Sequence, residues 1–292
     1  MAPAPTRLAA LLGDPVAHSV SPALHVAAFA AAGLDAVYVA CHVEAAAFQA
    51  AVDGLWALGT LGANVTVPHK VAALHAAASA SDEARAIGAA NTLVRTDGGW
   101  RAENTDVVGF LAGIEPARFT GLPAVVLGAG GAARAVVYAL LTAVRPSHVT
   151  VATRDPVRAR ALAADARAWG GPVDGVGLAD APVQGAALVV NATPVGTGDP
   201  HATPWPNADD FGPHQTIYDL VYRPAETRLL AEARRRGATT IGGLGMLVAQ
   251  AAASFRLWTG LDMDTGAATR AAQAALRLSE PPRHSGPYSP DP

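Results

Sequence analysis

Short apolar runs alternate with stretches of helical spacing over the first 106 residues of the chain. Short apolar runs are typical of buried strands, and apolar positions that recur every three or four residues are typical of helices. The Gly98-Gly99 pair predicts a hairpin turn, and Ser21 before Pro22 predicts a helix start capped by Ser21. The predicted strands are 8–12, 36–42 and 62–67 with a hairpin over 91–103, and the predicted helices are 22–32, 45–58, 71–78 and one from 105 onward.

Beyond about residue 120, compact apolar strands alternate regularly with helices. Such alternation predicts a parallel sheet covered by helices on both faces, and therefore an α/β fold. The tail 279–292 is rich in Pro and Ser, and we expect it to be disordered. The predicted strands here are 124–127, 148–152, 186–190 and 216–221, and the predicted helices are one ending near 144 and those over 156–169, 225–236, 244–259 and 265–278.

The composition suggests two domains and argues against several classes of protein. The chain has 292 residues, of which 51% are hydrophobic, and domains average about 150 residues. The formal net charge of -3 argues against a nucleic-acid or membrane partner, because both favour basic surfaces. No apolar run is long enough to span a membrane, and the apolar stretch 8–12 is too short for a signal peptide. We therefore expect a cytoplasmic protein.

Two scarce residue types narrow the candidate chemistry. Cys41 is the only cysteine, which excludes an intrachain disulfide and zinc sites built on several cysteines, so no metal site is expected. Lys70 is the only lysine among 21 basic residues. Arginine replaces lysine easily as a surface charge but does not release a proton readily. Lys70 is therefore a candidate proton donor, although a solvated surface charge remains the simpler interpretation of any single lysine.

A glycine-rich turn between a predicted strand and a predicted helix carries the pattern G-x-G-x-x-A over 128–133. Gly128 permits a tight turn, Gly130 lets the backbone approach a pyrophosphate, and Ala133 permits close packing of helix and strand. The free N–H groups of the helix start then face the phosphates. This predicts a Rossmann-type site that binds a dinucleotide, against the alternative of an ordinary glycine-rich turn. The residues assigned to it are Gly128, Ala129, Gly130, Gly131 and Ala132.

The end of the next predicted strand discriminates between NADP and NAD. Thr153, Arg154 and Arg158 predict a clamp for the 2′-phosphate of NADP. Two solvated arginines at a helix start are the alternative, and Asp155 would repel a phosphate unless its carboxylate caps the following helix. We predict NADP(H) and leave NAD(H) open.

Polar residues cluster in four segments of the first part of the chain. Ser19 and Ser21 lie two apart at a helix start, and Asn64 and Thr66 share one face of a strand. Further amides, hydroxyls and a carboxylate follow in 91–92 and 104–106. Such a set suits a polyhydroxylated substrate, with Lys70 and Asp106 as a proton-handling pair. Turn and helix capping is the alternative for the serines and asparagines.

Over about residues 13–255 the sequence resembles the shikimate dehydrogenase family. This resemblance implies NADP-linked, reversible reduction of 3-dehydroshikimate to shikimate, a step toward chorismate and the aromatic amino acids. The motifs that carry it are His18-Ser19-Val20-Ser21-Pro22, Asn64-Val65-Thr66-Val67-Pro68-His69-Lys70, Ala90-Asn91-Thr92, Asn104-Thr105-Asp106, Gly128–Ala132, Asn191-Ala192-Thr193-Pro194-Val195-Gly196, Tyr218-Asp219-Leu220-Val221-Tyr222 and the segment 243–252.

The resemblance assigns roles to residues by motif. Lys70 and Asp106 would be the catalytic pair, which also contacts the substrate. Ser19 and Ser21, with Tyr222 nearby, would bind the substrate carboxylate. The residues that would bind ring hydroxyls or shape the pocket are Asn64, Thr66, Asn91 and Gln250. Those that would hold the cofactor are Gly128–Ala132, Thr153, Arg154, Arg158, Leu220, Gly243 and Asp82.

The resemblance also implies an architecture. Residues 1–106 and 243–278 would form an α/β substrate domain, 107–242 a Rossmann-type NADP-binding domain, and a cleft would lie between them, in a monomer or a homodimer. Two alternatives for the function stay open at this point. One is a quinate or amino-shikimate dehydrogenase that uses NAD or NADP, although Ser21 favours shikimate because relatives that accept quinate often carry Thr there. The other is a non-catalytic NADP(H)-binding redox sensor.

Overall fold

Two six-stranded sheets organise the computed structural model, which describes residues 5–278. The predicted α/β class is confirmed. The predicted tail 279–292 lies outside the described residues. Within them, no helix combines the length and the apolar character that a membrane crossing requires.

The first sheet is mixed, with strand order β2-β1-β3-β5-β6-β4. β1 pairs in parallel with β2 and β3, while β5 pairs antiparallel with β3 and β6. The predicted hairpin of β5 and β6 is confirmed, but its turn is Asp97-Gly98 rather than Gly98-Gly99, because Gly99 already pairs with Thr96 as the first residue of β6. The strands of the first sheet and the helices that accompany them are β1 (Arg7–Gly13), α1 (Ser21–Ala31), β2 (Ala36–His42), α2 (Phe48–Ala57), β3 (Gly62–Val65), α3 (Lys70–Ala76), β4 (Ser79–Ala80), α4 (Asp82–Ile87), β5 (Thr92–Thr96), β6 (Gly99–Glu103) and α5 (Asp106–Leu111).

The second sheet is parallel throughout, with strand order β12-β11-β10-β7-β8-β9. Its elements are β7 (Pro123–Leu127), α6 (Gly131–Ala139), β8 (His148–Thr153), α7 (Pro156–Ala166), β9 (Val173–Gly177), β10 (Leu188–Asn191), β11 (Thr216–Asp219), α8 (Arg228–Arg235) and β12 (Thr239–Gly242). The chain then continues as α9 (Leu244–Thr259) and α10 (Thr265–Leu278).

Burial on both faces of the second sheet explains why its strands are continuous apolar runs. Val126 packs in one core cluster and its neighbours Val125 and Leu127 in another. Successive side chains of a strand point to opposite faces, so both faces must be covered by helices for all three to be buried. In contrast, α9 contributes Val248 and Phe255 to the core beside α1 and β1 of the first sheet.

Three local predictions are wrong. Ser21 does not cap α1: the helix begins at Ser21, and Ser19 Oγ instead accepts a hydrogen bond from Ser21 N at 3.2 Å. The predicted helix 225–236 begins only at Arg228, because Thr227 caps it by accepting from Leu230 N. The predicted strand 62–67 ends at Val65, shortly before Pro68, and proline lacks the N–H that a central strand needs.

Candidate active site

A cavity of about 390 Å³ lies between the two sheets. The strands β1 and β3 of the first sheet and β10 and β11 of the second point their carboxyl ends toward it. Ligands of open α/β sheets bind at this edge of the strands. The lining includes all nine of the predicted substrate residues, namely Ser19, Ser21, Asn64, Thr66, Lys70, Asn91, Asp106, Tyr222 and Gln250.

Lys70 and Asp106 form a buried ion pair in this cavity. Lys70 is the first residue of α3 and Asp106 the first of α5, and Lys70 Nζ lies 2.5 Å from Asp106 Oδ2. Their side chains are only 12% and 7% exposed. The second carboxylate oxygen of Asp106 accepts a hydrogen bond from Asn91 Nδ2 at 2.9 Å. The ammonium group is thus held in one position by a carboxylate that is itself fixed.

The aliphatic part of Lys70 packs directly on the glycine-rich turn of the second sheet. A methyl group added to Gly131 would lie 2.9 Å from Lys70 Cδ. Any side chain at Gly131 would therefore displace Lys70. The structure brings the candidate proton donor and the candidate dinucleotide turn into contact, although they belong to different sheets.

Asn64 is oriented by a network of buried hydroxyls. Its Oδ1 accepts from the Tyr38 hydroxyl at 2.9 Å, and its Nδ2 donates to Thr92 Oγ1 at 3.0 Å and Ser254 Oγ at 2.9 Å. The amide hydrogens are therefore used inside the protein, and the carbonyl oxygen retains one lone pair for a ligand. Asn64 can thus accept a hydrogen bond from a ligand hydroxyl in the cavity.

Sequence reasoning missed Ser254 and Tyr38. Ser254 is fully buried on α9 and contacts Thr92 Oγ1 at 2.9 Å as well as Asn64. A signal existed, because Ser254 lies four residues after Gln250 and residues four apart share one face of a helix. Tyr38 carried no comparable signal. It lies on β2, which β1 separates from the β3 strand of Asn64, so the two residues are neighbours neither along the chain nor on paired strands.

Ser19, Ser21 and Tyr222 line the cavity together, and Tyr222 is hydrogen-bonded to Ser19. Burial raises the pKa of Tyr222, and hydrogen bonding with Ser19 and Val20 and the positive charge of Arg223 oppose this shift. Tyr222 follows β11 of the second sheet, whereas the two serines follow β1 of the first. Because Ser21 does not cap its helix, its hydroxyl remains available for a ligand.

The glycine-rich turn fits a pyrophosphate group. Gly128 has a φ of 116°, a conformation that favours glycine, and a methyl group there would lie 3.1 Å from the Ala192 backbone. Gly130 precedes α6 without a side-chain cap, and a methyl group on it would meet nothing within 4 Å. No side-chain cap therefore occupies the first N–H groups of α6, which leaves them available for phosphate binding at a helix N-terminus. Ala132 also lines the cavity.

Asp155 caps α7, which removes the objection to a phosphate clamp. Its carboxylate accepts from Val157 N at 3.0 Å, and Thr153 Oγ1 donates to its backbone carbonyl at 2.5 Å. The carboxylate is therefore engaged with the helix start. Arg154 and Arg158 are exposed next to it, at the carboxyl end of β8.

The other assigned cofactor residues fall into two groups. Leu220 and Gly243 line the cavity, and a methyl group on Gly243 would lie 2.1 Å from the Leu220 carbonyl oxygen, so only glycine fits there. Asp82 does not line it. Its fully exposed carboxylate pairs with Arg85 at 3.2 Å on the surface of α4.

Asp219 is a buried carboxylate that sequence reasoning left without a role. Its Oδ1 accepts from Asn191 Nδ2 at 2.8 Å and Val221 N at 3.0 Å, and its Oδ2 accepts from Thr227 Oγ1 at 2.6 Å. Burial raises the pKa of Asp219, and these three hydrogen bonds oppose the shift. Asp219 therefore ties the cavity-lining segment 220–223 to β10 and to the start of α8.

Comparison with known proteins identifies similar sequences and structures. Two family models match, the shikimate dehydrogenase substrate binding domain over residues 11–93 and the shikimate 5′-dehydrogenase C-terminal domain over 243–273. A shikimate dehydrogenase (NADP(+)) of Salinibacter ruber is 48% identical over 94% of this chain and 98% of that protein.

Solved structures agree in fold. The shikimate 5-dehydrogenase of Thermus thermophilus, in complex with NADP(H) and shikimate, is 41% identical with a TM-score of 0.81 and covers 92% of this chain and 100% of its own. The quinate dehydrogenase of Corynebacterium glutamicum, in complex with NAD, is 33% identical with a TM-score of 0.83. The match covers 92% of this chain and 99% of that protein.

Proposed function

Because this chain belongs to the shikimate dehydrogenase family, we infer that it catalyses the NADP-dependent, reversible reduction of 3-dehydroshikimate to shikimate. It is an oxidoreductase of aromatic amino-acid biosynthesis, and its cofactor is NADP(H). The observation that carries the proposed mechanism is the Lys70–Asp106 pair, 2.5 Å apart in the cavity. We place the reaction in the cytoplasm.

Lys70 is the proposed proton donor. NADPH, when bound, supplies the hydride that reduces the ketone of the substrate. Lys70 Nζ then stabilises the negative charge that develops on the ketone oxygen and donates a proton to it. Asp106 keeps the ammonium in place through the ion pair, and Asn91 keeps Asp106 in place. In the reverse direction Lys70 accepts the proton.

The polar residues of the cavity position the ring. Ser19, Ser21 and Tyr222 are the proposed ligands of the substrate carboxylate at one end of the cavity. The proposed ligands of the ring hydroxyls, or residues that shape their pocket, are Asn64, Thr66, Asn91 and Gln250. Binding at both ends would orient the ring toward Lys70, and such orientation accounts for much of enzymatic rate enhancement.

The cofactor site is proposed along the second sheet. Gly128–Ala132 would hold the pyrophosphate, and Leu220 and Gly243 would contact the cofactor near the substrate. Thr153, Arg154 and Arg158 would bind the 2′-phosphate. The family-based assignment of Asp82 to the cofactor stays a prediction, because its carboxylate is directed to solvent beside Arg85.

We keep the domain division 1–106 with 243–278, and 107–242. It is supported by the two separate sheets and by the packing of α9 against α1 and β1. Phe110 of α5 packs instead in the core of the second sheet, and this supports a first crossover near residue 107.

The test measures the absorbance of reduced nicotinamide after the purified protein is mixed with shikimate or quinate, each with NADP⁺ or NAD⁺. We expect this absorbance to increase with shikimate and NADP⁺. An increase in absorbance only with quinate would make this chain a quinate dehydrogenase. An increase only with NAD⁺ would contradict the phosphate clamp. NADPH binding without turnover in any combination would favour a redox sensor.

Arg154→Ala should reduce kcat/KM for NADP⁺ by about 10- to 100-fold, because one charge-assisted contact with the phosphate is lost. Its kcat/KM for NAD⁺ should stay within about twofold, since NAD⁺ lacks that phosphate. Steady-state kinetics with both cofactors measure the ratio. Arg160→Ala, an exposed arginine two residues beyond Arg158, is the control for net charge. An equal loss with both cofactors would refute the clamp.

Ser254→Ala should raise KM for shikimate by about 3- to 10-fold, because Asn64 and Thr92 lose a shared partner in a buried network. KM for NADP⁺ should not change, since within residues 5–278 the hydrogen bonds of the Ser254 hydroxyl go to the substrate network, namely Asn64, Thr92, Thr105 and the Gln250 carbonyl. The replacement Ser254→Thr keeps the hydroxyl and should restore part of the affinity. Equal changes of KM for both substrates would indicate a general structural effect instead.

A further inference from the structure

A short stretch of the first proposed domain packs into both domains. Residues 86–90, which we call the bridge segment, join the end of α4 to the residues before β5. Ile87 and Ala89 are buried in the core of the second sheet, whereas Ala90 is buried in a core of the first sheet. The bridge segment is therefore a link between the two domains in addition to the crossovers of the chain.

Two side chains of the second domain hold carbonyl groups of the bridge segment. Arg134 Nε of α6 donates to the Ile87 carbonyl oxygen at 2.5 Å. Trp169 Nε1, shortly after α7, donates to the Ala86 carbonyl oxygen at 3.1 Å. The last carbonyls of a helix lack partners within the helix, and arginine side chains can bind them. We call Arg134 and Trp169 the clasp, because together they supply these partners to the end of α4.

The guanidinium of Arg134 is held from several sides. Its Nη1 forms an ion pair with Asp165 Oδ2 at 2.8 Å, and its side chain is only 20% exposed. Its Cζ lies 5.8 Å from the centroid of the Trp169 ring, which packs on Tyr138 in turn. A methyl group on Gly88 would lie 3.1 Å from Nη2. Such packing restricts the rotamers of Arg134, so the clasp holds the bridge segment in one position.

The bridge segment leads directly to the proposed catalytic pair. Ala90 N donates to the Lys70 carbonyl oxygen at 2.8 Å. Asn91, the next residue, donates from Nδ2 to Asp106 Oδ1 at 2.9 Å. Each member of the pair is therefore hydrogen-bonded to the bridge segment or to the residue that follows it.

The clasp is equally close to the glycine-rich turn. Arg134 ends the first turn of α6, which begins at Gly131, and its backbone N–H donates to the Gly130 carbonyl oxygen at 2.9 Å. One helical turn thus separates the proposed pyrophosphate site from the clasp. Hydride and proton must reach one substrate from groups held by different domains, and such a reaction depends on their relative position.

We propose that Arg134 is a positioning residue that, with Trp169, aligns the Lys70–Asp106 pair with the cofactor through the bridge segment. This inference rests on the proposed function, in which Lys70 donates the proton and the glycine-rich turn holds the cofactor. Arg134 is not among the described residues that line the cavity. A misplacement of about 1 Å can slow a reaction about 10²-fold, so loss of the clasp slows the reaction while cofactor binding persists.

The test compares Arg134→Met and Trp169→Phe with the unmodified protein in single-turnover reduction of 3-dehydroshikimate under saturating NADPH. We expect Arg134→Met to lower the rate by about 10- to 100-fold. Trp169→Phe keeps an aromatic ring but loses one N–H donor, and should lower the rate by about 3- to 10-fold. Arg134→Lys keeps a cation beside Asp165 and should restore part of the rate.

Cofactor affinity separates alignment from binding. The Kd for NADPH, measured by fluorescence titration, should stay within about twofold in both clasp variants, because the proposed cofactor ligands are retained. Arg167→Met, which removes an exposed arginine just after α7, is the control for net charge. It should match the unmodified protein in both the rate and the Kd.

Lys70 reports on the clasp without any turnover. It is the only lysine of the chain, so incorporation of lysine labelled with ¹³C at its carbonyl gives one labelled backbone signal in the NMR spectrum. The Lys70 carbonyl accepts the hydrogen bond from Ala90 of the bridge segment. Arg134→Met should therefore shift this signal, whereas Arg167→Met should leave it in place.

Three results would overturn the proposal. A single-turnover rate in Arg134→Met within about twofold of the unmodified rate, with only Tm lowered, would show that the clasp serves stability alone. A loss of NADPH affinity equal to the loss of rate would show that Arg134 acts through the cofactor site. An unshifted Lys70 signal in Arg134→Met would show that the bridge segment does not transmit the change. An unmodified protein without turnover would count against the proposed function, while the Lys70 signal would still test the clasp.

Discussion

Lys70→Met should lower kcat for reduction of 3-dehydroshikimate by about 10²- to 10⁴-fold, the usual contribution of general acid catalysis. Methionine keeps most of the aliphatic length that packs on Gly131, so the contact with the glycine-rich turn should persist. The ammonium group is lost, and no other described cation of the cavity lies as close to Asp106 as Lys70 does. Single-turnover kinetics under saturating NADPH measure this step directly.

Two companion variants separate charge from proton transfer. Lys70→Arg retains the positive charge but should remain slow, because arginine does not release a proton readily. The double variant Lys70→Met/Asp106→Asn removes the uncompensated buried carboxylate that the single variant leaves behind, which is costly for stability. It should regain thermal stability but not activity. If Lys70→Met turned over within about tenfold of the unmodified rate, Lys70 would not be the proton donor.

His25→Leu should make the protein less sensitive to acid. His25 is fully buried and stacks on Tyr38 with ring centroids 4.3 Å apart. Neither ring nitrogen has a hydrogen-bond partner within the described part of the chain. Burial lowers the pKa of His25 from 6.5 to about 3, because the charged imidazolium is poorly solvated there.

The direction of the effect follows from proton binding. Between about pH 3 and 6.5, the unfolded chain protonates His25 while the folded protein keeps it neutral. The unfolded state then binds more protons, so the free energy of unfolding rises with pH in this window and falls on acidification. The loss is about 1.4 kcal/mol per pH unit well inside the window, or about 2 kcal/mol between pH 7 and 5 for this one group.

Urea unfolding at pH 7, 6 and 5 measures the slope. Other groups titrate as well, so the prediction concerns the difference between His25→Leu and the unmodified protein. His75→Leu removes an exposed imidazole, which meets water in both states, and should keep the unmodified slope. If His25→Leu lost stability with acid as steeply as the unmodified protein, the buried imidazole would not be the cause.

Some elements escaped prediction for identifiable reasons. α4 has only six residues, too few for a helical period to emerge. β9 carries Asp174, Gly175 and Gly177, and these residue types are depleted in strands. Parallel pairing with β8 nevertheless makes it the edge strand of the second sheet. In both cases tertiary contacts outweighed weak local preferences.

The sequence alone determined what depends on neighbours along the chain. The glycine-rich turn over 128–133, the hairpin turn close to Gly98 and the helix-capping option for Asp155 each involve a few consecutive residues. Their geometry follows from local dihedral preferences and from hydrogen bonds that span a single turn. The scarcity of lysine likewise singled out Lys70 without any structure.

Only the tertiary structure decided which side chains share the cavity. It brought Lys70 onto Gly131, added Ser254 and Arg223, and directed Asp82 to solvent. Segments 150 or more residues apart meet there, as in the contact of Asn64 with Ser254. Such contacts depend on how two sheets and a returning helix pack together, and the local pattern of apolar and polar residues contains no information on that arrangement.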